Sequence, residues 1–109
     1  MTQSRITRLQ EFLEQDPDDQ FTNFALALEY LKEGEQQKAR SIFLKIIDKD
    51  PDYVGVYYHL GKLYEQLGQP EEAVRSYETG INIALKLEDS HSADELQQAL
   101  QEVENDGEI

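Results

Sequence analysis

At 109 residues with no cysteine, the chain has room for one small core and no material for disulfides, thiolate metal sites or a cysteine nucleophile. Its 23 acids against 10 bases give a formal net charge of −13, which repels phosphate backbones and anionic lipid surfaces. Nucleic-acid and membrane partners are therefore disfavoured, and basic partners would be steered inward. No run approaches the roughly 18 apolar residues that read as a membrane span. Met1–Arg5 leads into an amphipathic pattern with no apolar leader, so a cytoplasmic location is expected.

Helix 1 is predicted over residues 4–15, with Ile6, Leu9, Phe12 and Leu13 as its inward stripe. Asp16-Pro17 ends it, because the residue before a proline is pushed out of the helical region. Helix 2, over 19–33, is apolar on nearly every side through Phe21, Phe24, Ala25, Leu26, Ala27, Leu28, Tyr30 and Leu31. That pattern predicts a central, buried helix, with Gly34 as its left-handed cap. Helix 3, over 35–48, turns Ala39, Ile42, Phe43, Ile46 and Ile47 inward and stops at Asp50-Pro51.

Helix 4 is predicted over 52–67, with Asp52 as its N-cap and Gly68 closing it. Its tyrosines, Tyr53, Tyr57, Tyr58 and Tyr64, are expected to pack with their hydroxyls at the rim. Helix 5 opens on Pro70, with Glu71 and Glu72 at the positive end of its dipole, and runs to residue 87. Helix 6 covers 92–104, with Ala93, Leu96, Leu100 and Val103 inward, and 105–109 form a frayed tail. No Gly/Ser/Pro-rich linker interrupts the chain, so a single domain over 1–109 is expected. The charge is uneven: residues 87–109 hold eight acids and no Lys or Arg, leaving −5 for residues 1–86.

Leu26, Ala27, Tyr30, Gly34, Ala39 and Phe43 return 34 residues later as Leu60, Gly61, Tyr64, Gly68, Ala73 and Tyr77. Asp16-Pro17-Asp18 likewise returns as Asp50-Pro51-Asp52. A fixed period of this length marks stacked helix pairs, each burying its apolar face against a neighbour. The pattern resembles the tetratricopeptide repeat family. That resemblance implies an all-α fold of antiparallel helix pairs in a short right-handed solenoid, with full repeats at 20–53 and 54–87. Helix 1 would be the second half of a truncated unit. Asn23, Ile46 and Leu85 depart from the family's large aromatic, small residue and closing proline. Carrying the register past Leu87 places Asp94, Glu95 and Gln98 where a leucine, a small residue and a tyrosine belong. Helix 6 is thus expected to be a cap, with Gln97, Gln98, Gln101 and Glu102 facing solvent.

In that family the first helix of each unit lines a concave groove. The resemblance places Phe21, Phe24, Leu28 and Leu31 there from unit one, and Gly55, Tyr58, Lys62 and Glu65 from unit two. One half is apolar and aromatic and the other polar, as suits a non-catalytic module that presents a groove to a protein or peptide, basic or apolar. The alternative is a homo-oligomer, such as a homodimer, hiding the apolar half; burial of Phe24, Leu28 and Leu31 within one chain would defeat the binding reading. Some relatives clamp the C-terminal carboxylate of heat-shock chaperones. Phe24 and Leu28 offer neither charge nor amide for that, so such tails are disfavoured.

Catalysis finds little support. His59 and His91 lack a histidine partner at helical spacing, and His91 falls in the turn before helix 6. Asp48-x-Asp50-x-Asp52 begins like a calcium loop but has Tyr53 and His59 where that loop needs glycine and glutamate. Neither a phosphate-cradling glycine loop nor a convergent serine–histidine–acid arrangement is legible. An enzyme is disfavoured, and no catalytic residue, metal or cofactor is expected.

Overall fold

The computed structural model describes residues 2–107, with side chains over 5–106. Six helices follow one another: α1 (Thr2–Gln15), α2 (Gln20–Lys32), α3 (Gln36–Lys49), α4 (Val54–Gln66), α5 (Pro70–Lys86) and α6 (Ser90–Gly107). The described residues include no strand. The helices cluster into two compact units that divide between Pro51 and Asp52, α1–α3 in the first and α4–α6 in the second. The division falls at the second Asp-Pro-Asp turn, beside the expected repeat boundary.

In the first unit α2 packs against both α1 and α3. Ile6, Leu26, Ala27, Ala39, Phe43 and Ile46 are buried, while Leu9, Leu13, Ile42 and Ile47 are half-buried. Two expectations fail here. Phe12, assigned to the inward stripe of α1, is 55% exposed, and α2 is not buried all round because Phe21 lies in solvent. The α2 core also holds polar groups. Asn23, at the site of the missing aromatic, is buried and donates from its amide to the Pro17 and Asp19 carbonyls, each at 3.0 Å. It tethers the Asp16–Asp19 turn to the helix, which satisfies carbonyls that burial would otherwise penalise.

In the second unit α5 packs against α4 and α6, and α6 also touches α4. Tyr57, Leu60, Leu63, Tyr64, Tyr77, Leu96 and Val103 are buried there. At the small-residue site of α4, a Cβ added to Gly61 would lie 2.2 Å from a ring carbon of Tyr77. Only a glycine lets α4 and α5 approach so closely there.

The helix starts correct two further expectations. Asp19 caps α2, its carboxylate accepting from the Thr22 amide at 3.0 Å and from the Thr22 hydroxyl. Asp89 caps α6 in the same way, accepting from the Ser92 amide at 3.1 Å and its hydroxyl at 2.7 Å. The N-cap of α4, by contrast, is Tyr53, with no side-chain cap bond. Asp52, expected in that role, sits one residue too early and pairs with Lys86 at 2.8 Å. Because capping starts at Asp89, α6 opens at Ser90, and His91 lies in its first turn rather than before it.

At its other end α6 runs to Gly107, past the residue 104 expected from the sequence. Residues 105–107, the start of the tail expected to fray, are drawn as helix, and the rest of that tail, 108–109, lies outside the described residues.

Three helices end alike. Beyond α2, α4 and α5 the chain turns through Gly34 (φ 78°), Gly68 (φ 73°) and Glu88 (φ 59°). In each turn the next amide bonds back to a carbonyl five residues earlier, as Glu35 to Tyr30, Gln69 to Tyr64 and Asp89 to Ala84. This closure needs a left-handed residue, at no steric cost for glycine but at some cost for glutamate.

Candidate binding surfaces

On α2, Phe21, Phe24, Leu28 and Leu31 follow one another at spacings of three, four and three, so they share one helical face. Phe21 is 73% exposed, and Phe24, Leu28 and Leu31 are half-buried. Phe24 is held from below by the Phe43 ring of α3, with centroids 6.1 Å apart. The result is an aromatic and aliphatic stripe that is supported by the core yet open to solvent. Covering one such side chain is worth about 1.5–3 kcal/mol relative to leaving it in water.

Near this stripe lies a group that sequence reasoning missed. Glu29 is buried, with its carboxylate 3.1 Å from Lys32 and 3.4 Å from Arg5 of α1. The Lys32 bond, aided by the field of Arg5 and opposed by desolvation, holds its pKa below the usual carboxylate value. One residue along, Tyr30 accepts from Gln10 at 3.0 Å, and the Lys38 ammonium sits 5.3 Å from its ring centroid. Together these interactions fix α2 against α1 and α3, which presents the stripe on a rigid element.

The second surface belongs to α4 and α6. Tyr58, Lys62, Glu95, Gln98, Ala99 and Glu102 line a polar cleft of about 260 Å³. The Lys62 ammonium stands 3.8 Å from Glu65, 3.7 Å from Glu102 and 5.6 Å from the Tyr58 ring centroid. Of the residues expected on the polar half of the groove, the structure thus brings Tyr58, Lys62 and Glu65 together. Glu65 also accepts a hydrogen bond from the buried Tyr77 hydroxyl. Burial first, and then this bond to an anion, push the Tyr77 pKa well above the ordinary phenol value. His59, half-buried on the same helix, is held below its usual pKa by desolvation against an opposing pull from Glu95.

The α6 contributors to this cleft were missed because α6 reads as a solvent-facing cap outside the two repeats, and its register is also displaced by two residues. Asp19-x-x-Thr22 and Asp89-x-x-Ser92 are the same capping signal. It sets the start of α6 36 residues after that of α4, against 34 from α2 to α4. On the corrected register Leu96 occupies the buried leucine site, while exposed Gln97 replaces Ala27 and Gly61. A close-packed helix has no small residue to approach there, in keeping with the polar outer face expected of α6.

Among the described residues, no group of three or more His, Cys, Asp and Glu is placed to hold a metal ion. Nor is any helix long and apolar enough to cross a membrane.

A family model described as tetratricopeptide repeat matches residues 1–85. A tetratricopeptide repeat domain protein from Salinibacter ruber, solved by NMR, is 43% identical; the match covers 83% of this chain and 91% of that one, with a TM-score of 0.79. An uncharacterized protein of Haemophilus influenzae is 37% identical over 67 residues, which is 62% of this chain, and the match spans 37% of that protein's length. The TPR2B domain of yeast Sti1, in complex with pHsp70, shares the fold at 18% identity, with a TM-score of 0.84 over 93% of this chain and 81% of that one.

Proposed function

The chain belongs to the tetratricopeptide repeat family, and from that membership we propose a non-catalytic interaction module that docks a protein or peptide on the α2 stripe. The observation that carries this reading is the solvent exposure of Phe21 beside half-buried Phe24, Leu28 and Leu31. A side chain the size of phenylalanine held open on a rigid helix is a hot-spot anchor waiting for a pocket or an apolar helix face. The yeast domain bound to pHsp70 supports a peptide-class partner. Heat-shock tails themselves fit poorly, since Phe24 and Leu28 supply no carboxylate clamp. In this scheme the module works passively: the stripe gives affinity, and the acidic surface raises the encounter rate of basic partners.

The test is affinity capture with the wild type beside a Phe21→Asp, Leu28→Asp variant whose fold is verified by circular dichroism. Proteins lost by the variant support the stripe; proteins retained equally by both place binding elsewhere. The exposed Phe21 also suits a second copy of the chain, the alternative reading. Light scattering over a concentration series separates the two, because a protein that stays monomeric at high concentration excludes self-association.

A further inference from the structure

We propose that the groove between the start of α5 and the end of α6 is a second docking site, taking a basic, apolar-faced helical segment of a partner protein. The groove holds about 510 Å³, within the range of ligand clefts. Pro70, Val74 and Val103 give it apolar lining, and Glu71, Glu78 and Glu104 give it negative charge.

Arg75, the one base in the lining, is 2.6 Å from the Glu72 carboxylate and so is already neutralised. The three glutamates have no ion-pair partner among the described residues. The extra length of α6 builds the wall, since Asp106 carries the same surface on toward Gly68 and Glu65.

Repeat packing does not demand this arrangement. In the first unit, 34 residues earlier, the positions of Val74 and Glu78 are held by Arg40 and Leu44. Apolar lining beside unpaired carboxylates selects a helix with aliphatic residues at i and i+4, flanked by lysine or arginine. An acidic or neutral helix would leave the carboxylates unanswered. The second unit holds 13 acids against three bases, which steers a basic segment toward it. The site is separate from the α2 stripe and does not depend on it.

A titration of the ¹⁵N-labelled full chain with a synthetic 14-residue Leu/Lys amphipathic helix tests the proposal. A Leu/Glu analogue and a scrambled Leu/Lys peptide serve as controls. Saturable shifts centred on Val74, Glu78, Val103 and Glu104, seen only with the amphipathic Leu/Lys peptide, are expected. Val74→Arg, which installs the residue of the first unit at a half-exposed site, should weaken binding by about tenfold or more. The charge variant Glu71→Gln, Glu104→Gln should weaken it less and flatten its salt dependence, with the fold of each variant verified by circular dichroism. Shifts spread over the whole acidic surface, equal binding of the scrambled peptide, or shifts centred on Phe24 and Leu28 would overturn the proposal. So would concentration-dependent shifts at Val74 and Val103 without peptide, which would give the groove to a second copy.

Discussion

The two units repeat each other where they pack and diverge where they meet solvent. Leu26 and Leu60, Ala39 and Ala73, and Phe43 and Tyr77 are buried in both. The first unit carries ten acids, Glu29 among them buried, against seven bases and leaves Phe12, Phe21 and Leu44 exposed; the second carries 13 acids against three bases, leaves Leu85 and Leu87 exposed, and closes its α4 face with a lysine–glutamate–tyrosine cluster. Packing positions are constrained by volume, because a methylene too many in a dense interior is felt at once. Surface positions carry no such constraint, so the difference between the copies is the place to look for specificity.

The sharpest way to break the comparison is at the small-residue site. Ala27 is accommodated in the first unit, yet Gly61→Ala should destabilise the second by about 1–3 kcal/mol, since its new methyl meets the Tyr77 ring. Chemical denaturation checks this, and an unchanged midpoint would show that Tyr77 yields freely.

Tyr77→Phe should cost somewhat less, about 1–2 kcal/mol, by removing the hydroxyl bond to Glu65. Phe43, its counterpart in the first unit, has no hydroxyl to lose. The same bond fixes the sign of a pH effect. The folded-state pKa of Tyr77 is raised, so the stability it lends is complete below the unfolded phenol value of about 10 and is lost as pH rises beyond it. Tyr77→Phe should therefore flatten the alkaline fall in melting temperature.

Glu88→Gly should stabilise by about 0.5–1 kcal/mol, because it gives α5 the left-handed terminator that Gly34 and Gly68 already give α2 and α4. A thermal melt that moves down instead would show that the Glu88 side chain makes a contribution of its own.

The mildest effect is expected in acid. The pKa values of Glu29, Asp19 and Asp89 are lowered in the fold by Lys32, Thr22 and Ser92 respectively. The stability they lend is present above the ordinary carboxylate range of about 4 and is lost as pH falls through their folded values. Glu29→Gln should lower the melting temperature at pH 7 and shrink the difference between pH 7 and pH 3. An unchanged difference would remove Glu29 from the acid response.

Much of this architecture is legible in the chain because its signals are local. The Asp-Pro turns, the two terminating glycines and Pro70 with Glu71 and Glu72 behind it each act within one turn of helix. The hidden features depend on tertiary contact or on register. Burial of Glu29 needs Arg5 from another helix, and the role of Asn23 is set by a carbonyl six residues away in a turn. The α6 side of the polar cleft was passed over because a helix with a polar outer face reads as a cap, and only the tertiary contact with α4 turns Glu95, Gln98, Ala99 and Glu102 into a wall. For the surfaces, the family resemblance singled out the apolar stripe of α2 while the apolar pattern alone read as a buried helix: the eight apolar residues within 21–31 leave Phe21 open, because only α1 and α3 cover α2 within its unit.

The most direct measurement is hydrogen–deuterium exchange on the chain with and without a partner obtained by affinity capture. Protection that extends along α2 across Phe21, Phe24, Leu28 and Leu31, and that is absent with Phe21→Asp, Leu28→Asp, is the predicted result. A partner that protects other helices while α2 exchanges unchanged would contradict the claim that this stripe is where the module binds.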